Sequence, residues 1–98
     1  MVQLIWSERA IKDPDSIGEY IALDSEQAAK KFIQQLIEKA NILSLYPGKG
    51  RPIPENIPGN YRQILHKSYR IIYRLHKETV IISSIYNQKK LLFKIENT

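Results

Sequence analysis

The chain has 98 residues, 43% of them hydrophobic and 26% charged, with no cysteine and a formal net charge of +5. That length holds one hydrophobic core and excludes a second, so a single domain over residues 1–98 is expected; the absence of cysteine excludes disulfide staples and thiolate zinc sites. No apolar run approaches the ~18 residues of a membrane span, and the opening MVQLIWSERA lacks the basic and apolar regions of an export signal, so a cytoplasmic chain without membrane contact is expected.

The charge is unevenly divided. Residues 1 to 46 hold five Lys/Arg against seven Asp/Glu, and residues 47 to 98 hold ten against three. A field this lopsided favours a polyanionic partner, either nucleic acid or an acidic protein segment, although a solvated basic surface accounts for it as well.

In chain order, VQLIW (2–6) is apolar and β-prone, and Ser7 then offers an N-cap to ERAIK. Pro14 should interrupt that helix. Asp13-Pro14 reads as a new N-cap with proline at the first helical position, which predicts a kink or a turn and a fresh start. Ile17, Tyr20 and Ile21 then share one face. Asp24 or Ser25 caps a second helix, in which Ala29, Phe32, Ile33, Leu36, Ile37, Ala40 and Leu43 recur with helical period up to Tyr46. The short link between the helices predicts an antiparallel hairpin.

Residues 47 to 60, PGKGRPIPENIPGN, contain four of the five prolines and three of the four glycines, and read as a loop carrying the basic Lys49 and Arg51. Three strands follow: YRQILH (61–66), YRIIYRL (69–75) and TVIISSIY (79–86). Short turns join them into an antiparallel meander. The remainder, NQKKLLFKIENT, is ambiguous between strand, helix and tail.

Alternation along the strands places Tyr69, Ile71, Tyr73 and Leu75 on one face and Arg70, Ile72 and Arg74 on the other; Tyr61, Gln63 and Leu65 likewise oppose Arg62, Ile64 and His66. If the helical hairpin covers Ile71 and Tyr73, the arginines are expected on an uncovered side with Lys49 and Arg51, forming a cationic concave surface. Guanidinium groups there could bind phosphate and stabilise a phosphoryl-transfer transition state, with tyrosine as stacking group or proton donor. The same groups could instead pair with acidic side chains of a bound protein, or simply cover a sheet face. His66 and His76 have no acid or cysteine at a ligand-like spacing, so no metal site is expected, and no P-loop, nucleophile elbow or dinucleotide fingerprint calls for a cofactor.

Trp6-Ser7-x-x-Ala10 after a first strand, a helix ending near YIALDSEQAA, a second closing on LSLYPGKGRPIPE, then YRQIL, YRIIYRL and VIISSIY together resemble the RelE/ParE superfamily of toxins from bacterial type II toxin–antitoxin modules. The resemblance runs from Leu4 to about Lys90. It is most specific at Pro47-x-x-Gly50-Arg51-Pro52-x-Pro54-Glu55 and at Tyr69-Arg70-Ile71-Ile72-Tyr73. It implies an α+β fold in the order β-α-α-β-β-β, with an antiparallel sheet and the N-terminal helical hairpin packed on one face. It also implies a growth-arresting toxin neutralised by a cognate antitoxin protein.

The superfamily divides into RelE-like members, which cleave messenger RNA on the ribosome, and ParE-like members, which inhibit DNA gyrase. Arg70 matches the arginine of the family's Tyr-Arg-apolar-apolar-Tyr strand, and Arg62 matches a basic position one strand earlier. Elsewhere the chain departs from the nuclease pattern, with Ile64 where a lysine is common, Asn87 where an arginine is common, Phe93 or its neighbours in place of a tyrosine, and Tyr86 in place of a histidine. The resemblance therefore leans to the ParE-like branch. A metal-independent messenger RNA endoribonuclease, with Arg62, Arg70 and Tyr86 as catalytic candidates, and an inactive relative that only binds a partner remain the alternatives. Lys49, Arg51, Lys67, Arg74, Lys89 and Lys90 are the candidate contacts to a target or to nucleic acid.

Overall fold

The computed structural model describes residues 2–87. Strand β1 (Gln3–Trp6) leads into helices α1 (Glu8–Ala22) and α2 (Glu26–Asn41), and a 3-10 turn (Ile42–Ser44) ends the helical part. The two-residue strand β2 (Arg51–Pro52) follows, then β3 (Tyr61–His66), β4 (Tyr69–His76) and β5 (Thr79–Asn87). The strands form one sheet in the order β1-β5-β4-β3-β2.

The meander β3-β4-β5 is antiparallel, as its short turns require; the residues opening the two turns, Lys67 and Lys77, adopt φ of 54° and 56°. The expected first strand, β1, joins the β5 edge in parallel and not antiparallel, with Leu4 beside Val80 and Trp6 beside Ile82, so the sheet is mixed at that edge. One further short strand, β2, adds to the expected order. Within the expected loop, Arg51 and Pro52 pair with Gln63 and Arg62, on an outer edge where a proline removes no ladder bond from the interior.

Ser7 holds the first crossing from strand to helix. Its Oγ accepts from the Ala10 N–H (3.1 Å), capping α1, and donates to the Ser83 carbonyl of β5 (2.9 Å). In the same way the Ser25 Oγ accepts from the Ala28 N–H (3.1 Å) at the start of α2.

The expected interruption at Pro14 is absent, and α1 runs through it. Asp13 does not begin a new helix. Its Oδ2 accepts from the Ile85 N–H (2.8 Å), a strand-edge donor beyond the end of β1. Tied to β5 at Ser7 and at Asp13, and with Pro14 buried, the helix is held against the loss of one backbone bond. The Asp13 carboxyl is raised above its ordinary pKa, because its partial burial outweighs the Ile85 N–H and the Arg9 charge.

Both helices lie on one face. Ala10, Phe32, Leu36, Ala40 and Leu43 pack on Ile64, Ile71, Tyr73, Val80, Ile82 and Ile85. Val80 and Ile82 alternate regularly, but Ile85 follows after three residues, and a bulge reconciles the spacing: Ile72 pairs with Ser84 and Tyr73 with Ile82, leaving Ser83 as the extra residue. Its carbonyl is the one that Ser7 caps. The bulge turns Ile85 into the core and Tyr86 to the opposite face.

Candidate functional site

The face away from the helices is not open, contrary to the expectation of an uncovered cationic surface. Ile53, Ile72 and Tyr86 form a second small core there, with Ile57 and Tyr61 packed against it. The Pro/Gly-rich segment supplies its cover. It leaves the helix layer after Ser44, wraps around the β3 edge as β2, and lays Ile53, Glu55 and Ile57 over the sheet.

Three side chains of the sheet tether this wrap, two of them arginines singled out from the sequence. On the helix side, the Tyr73 hydroxyl donates to the Pro47 carbonyl and accepts from the Gly50 N–H, both at 2.8 Å. Arg62 Nη1 donates to the Gly50 carbonyl (2.7 Å). Gly50 is clamped so closely that a Cβ there would lie 2.5 Å from the Tyr73 Oη and 2.7 Å from the Gln63 carbonyl oxygen. Burial pushes the Tyr73 hydroxyl pKa up, with the Gly50 N–H and Arg62 acting in the opposite sense.

On the other side, Arg70 grips Glu55 with both terminal nitrogens, Nη1 to Oε1 at 3.0 Å and Nη2 to Oε2, while Nη1 also donates to Gln63 Oε1 (3.1 Å). Arg70 is 3% exposed and the Glu55 side chain 0%. A charge this deep requires a partner, and the bidentate carboxylate is the strong form of one.

Strand register decides how the candidate residues group. Arg70 lies opposite Leu65 on one side and Tyr86 on the other, so Arg70 and Tyr86 are neighbours on the loop-covered face. Arg62 lies opposite Tyr73, on the helix side. The three catalytic candidates therefore do not converge: Arg62 and Arg70 project from opposite faces, and both are engaged with the same loop. Lys49, Arg51 and Lys67 are exposed, and Arg74 is half-buried. Lys49 and Arg51 lie on the wrapping segment, Lys67 opens the β3-β4 turn, and Lys89 and Lys90 lie outside the described residues.

Two residues not singled out from the sequence as site residues matter here. Glu55 answers Arg70; its signal was that residues 47 to 98 contain only three acids, one of them in the loop. Arg9, from the first turn of α1, places its guanidinium carbon 4.6 Å from the centre of the Tyr86 ring. No spacing in the sequence connects residues 9 and 86, because that contact needs β1 to end early and the bulge to turn Tyr86 outward. Of the two histidines, His76 is exposed and His66 is buried on the helix side against Phe32, with ring centres 5.1 Å apart. Burial, with Lys39 and Lys67 nearby, lowers the His66 pKa.

Residues 4–92 match the family model described as "ParE toxin of type II toxin-antitoxin system, parDE". Among curated proteins, the candidate toxin Y4kP of Sinorhizobium fredii is 29% identical over 82 residues, which is 83% of each chain. Among solved structures, a chain of the chromosomal ParDE toxin–antitoxin system from P. aeruginosa superposes with a TM-score of 0.75 at 27% identity, covering 89% of this chain and 96% of that one. The isolated E. coli RelE toxin shares the fold with a TM-score of 0.62 at 18% identity, over 99% and 95% of the two chains. No helix among the described residues is long and apolar enough to cross a membrane.

Proposed function

Because this chain belongs to the ParE toxin family of type II toxin–antitoxin systems, we propose that it arrests growth by binding a protein target, DNA gyrase, and that a cognate antitoxin neutralises it. The observation that carries this reading is the separation of Arg62 from Arg70. Cleavage of RNA needs cationic groups and a proton carrier aimed at one phosphate. Here one guanidinium holds Gly50 on the helix side, and the other is buried against Glu55 on the opposite side. Neither is presented to a shared ligand.

What the molecule presents outward suits protein recognition better. The wrapping loop is fixed at Pro47, Gly50 and Glu55, and it carries the exposed Lys49 and Arg51 next to Leu45 and Tyr46, which are 59% and 63% exposed. A rigid surface that combines an aromatic residue, an aliphatic residue and two cations has the composition of an interface anchor. On this reading Arg62, Arg70 and Tyr86 shape the surface and do not perform chemistry.

Pulse-labelling just after induction of this chain alone tests the proposal. An early loss of thymidine incorporation, with amino-acid incorporation continuing, is the expected outcome, and purified protein should inhibit DNA supercoiling by gyrase. An early collapse of amino-acid incorporation with cleaved messenger RNA would replace this reading with the ribosome-dependent nuclease. Undisturbed growth would leave a relative that only binds a partner.

A further inference from the structure

Arg70 directs both terminal nitrogens of its guanidinium into the protein, and what they meet has the chemistry of a ligand. The two-point fork that receives Glu55 fits any small oxyanion with two oxygens on one edge, whether a carboxylate or a phosphate. Gln63, accepting from the same Nη1, fixes the plane of the fork. We propose that Arg70 and Gln63 form an oxyanion seat whose resident ligand is the chain's own Glu55 carboxylate, and that a free carboxylate or phosphate takes the seat when that side chain is withdrawn.

Two features support a seat that outlasts its occupant. Arg70 projects from a central strand, between the cross-strand neighbours Leu65 and Tyr86, so its position is set by the sheet and not by Glu55. The wall over it is held independently: Ile53 and Ile57 pack with Ile72 and Tyr86, the Ile53 N–H donates to the Tyr61 carbonyl, and Gly50 is clamped from the helix side. Removing the carboxylate therefore leaves a desolvated positive charge in a shaped pocket, a situation that attracts an anion strongly. In the intact chain the loop acid plugs the seat and keeps this guanidinium from any external phosphate. The inference holds whatever the toxin's target, so its failure would leave the gyrase reading untouched.

The test is chemical rescue in the full chain. Thermal unfolding of Glu55→Ala is followed in sodium acetate, in sodium phosphate and in sodium chloride of the same ionic strength. Acetate should raise Tm by several degrees over chloride; a similar rise in phosphate would show that the seat admits tetrahedral anions, and acetate alone would restrict it to planar ones. The wild type and Glu55→Ala/Arg70→Met report the general stabilising effect of acetate and phosphate on a folded chain; the rise in Glu55→Ala should exceed theirs by several degrees, and Glu55→Gln, which fills the seat with an amide, should stay near the wild-type response. A salt response of Glu55→Ala no larger than that of the wild type, or the same response without Arg70, would overturn the proposal. Should Glu55→Ala fail to fold in chloride, recovery of its circular-dichroism spectrum by acetate or phosphate is the equivalent positive result, and failure to recover in both overturns it.

Discussion

On one side of the sheet two helices close over Leu36, Leu43, Ile71, Ile82 and Tyr73, all fully buried; on the other a loop closes over Ile53, Ile72 and Tyr86. The first closure is mostly non-directional. Each fully buried aliphatic side chain contributes about 1.5–3 kcal/mol, and a mismatch can be absorbed by repacking. The second has little apolar surface to draw on, and the loop is placed by a few directional contacts: the Tyr73 hydroxyl, the Arg62 guanidinium and the Arg70–Glu55 pair. A segment with four prolines and three glycines cannot form a ladder of its own, so the sheet's polar side chains must hold it. Hydrophobic area makes this fold stable, whereas hydrogen-bond geometry shapes the outer surface of its wrapping loop.

Single substitutions should separate the two closures, and the largest effect is expected on the loop side. Arg70→Met leaves the Glu55 carboxylate buried without its cation and should cost about 3–5 kcal/mol in urea unfolding, whereas Arg70→Met combined with Glu55→Met should recover most of that loss. Equal losses in the single and double variants would mean that packing, and not charge, seals that face. On the helix side Leu36→Ala should cost about 2–5 kcal/mol by the cavity it opens, without altering the loop's proteolytic susceptibility in the folded state.

A smaller effect tests the clamp. Tyr73→Phe keeps the ring in the core and removes only the hydroxyl between Pro47 and Gly50, at a cost of about 1–3 kcal/mol. The loop should then show faster amide exchange at Gly50, and the α1 amides should not change. If both regions change together, the two closures form one cooperative unit.

The smallest effect is the pH dependence from His66. Its folded pKa is lowered by burial and by Lys39 and Lys67, so the folded chain resists a proton that the unfolded chain accepts near 6.5. The His66 contribution is therefore fully present above that value and is lost as pH falls from about 6.5 through the lower folded value. Urea midpoints of the wild type and His66→Phe, compared between about pH 8 and about pH 5, should diverge only at the acid end. Parallel curves would remove His66 from the account.

Much of this molecule was legible in local chemistry. Helix α2 follows from the 3.6-residue recurrence of Ala29, Phe32, Leu36 and Ala40, although it gives way to a 3-10 turn at Ile42 before the expected end at Tyr46; its start follows from Ser25, and the turns at Lys67-Ser68 and at His76-Lys77-Glu78, where His76 proves to extend β4, follow from the breaks between β-prone runs. The grouping of the arginines was also partly within reach. A two-residue turn after His66 sets His66 opposite Tyr69 and hence Arg62 opposite Tyr73, which already divides Arg62 from Arg70. Alternation within each strand, read without the turn that couples them, misses this.

Tertiary structure alone decided the rest. Whether Pro14 breaks α1 depended on Asp13 finding the Ile85 N–H, 72 positions away. Whether Tyr86 faces the helices or Arg70 depended on the bulge at Ser83, which shifts the two-residue phase midway along β5. Whether the second face of the sheet is an open cationic surface or a sealed one depended on how the loop wraps. The sequence by itself determined elements whose energetics are local, namely caps, turns and periodic faces. It could not determine which distant groups satisfy a strand-edge amide or a buried guanidinium, because those partners are chosen only when the layers come together and water is excluded.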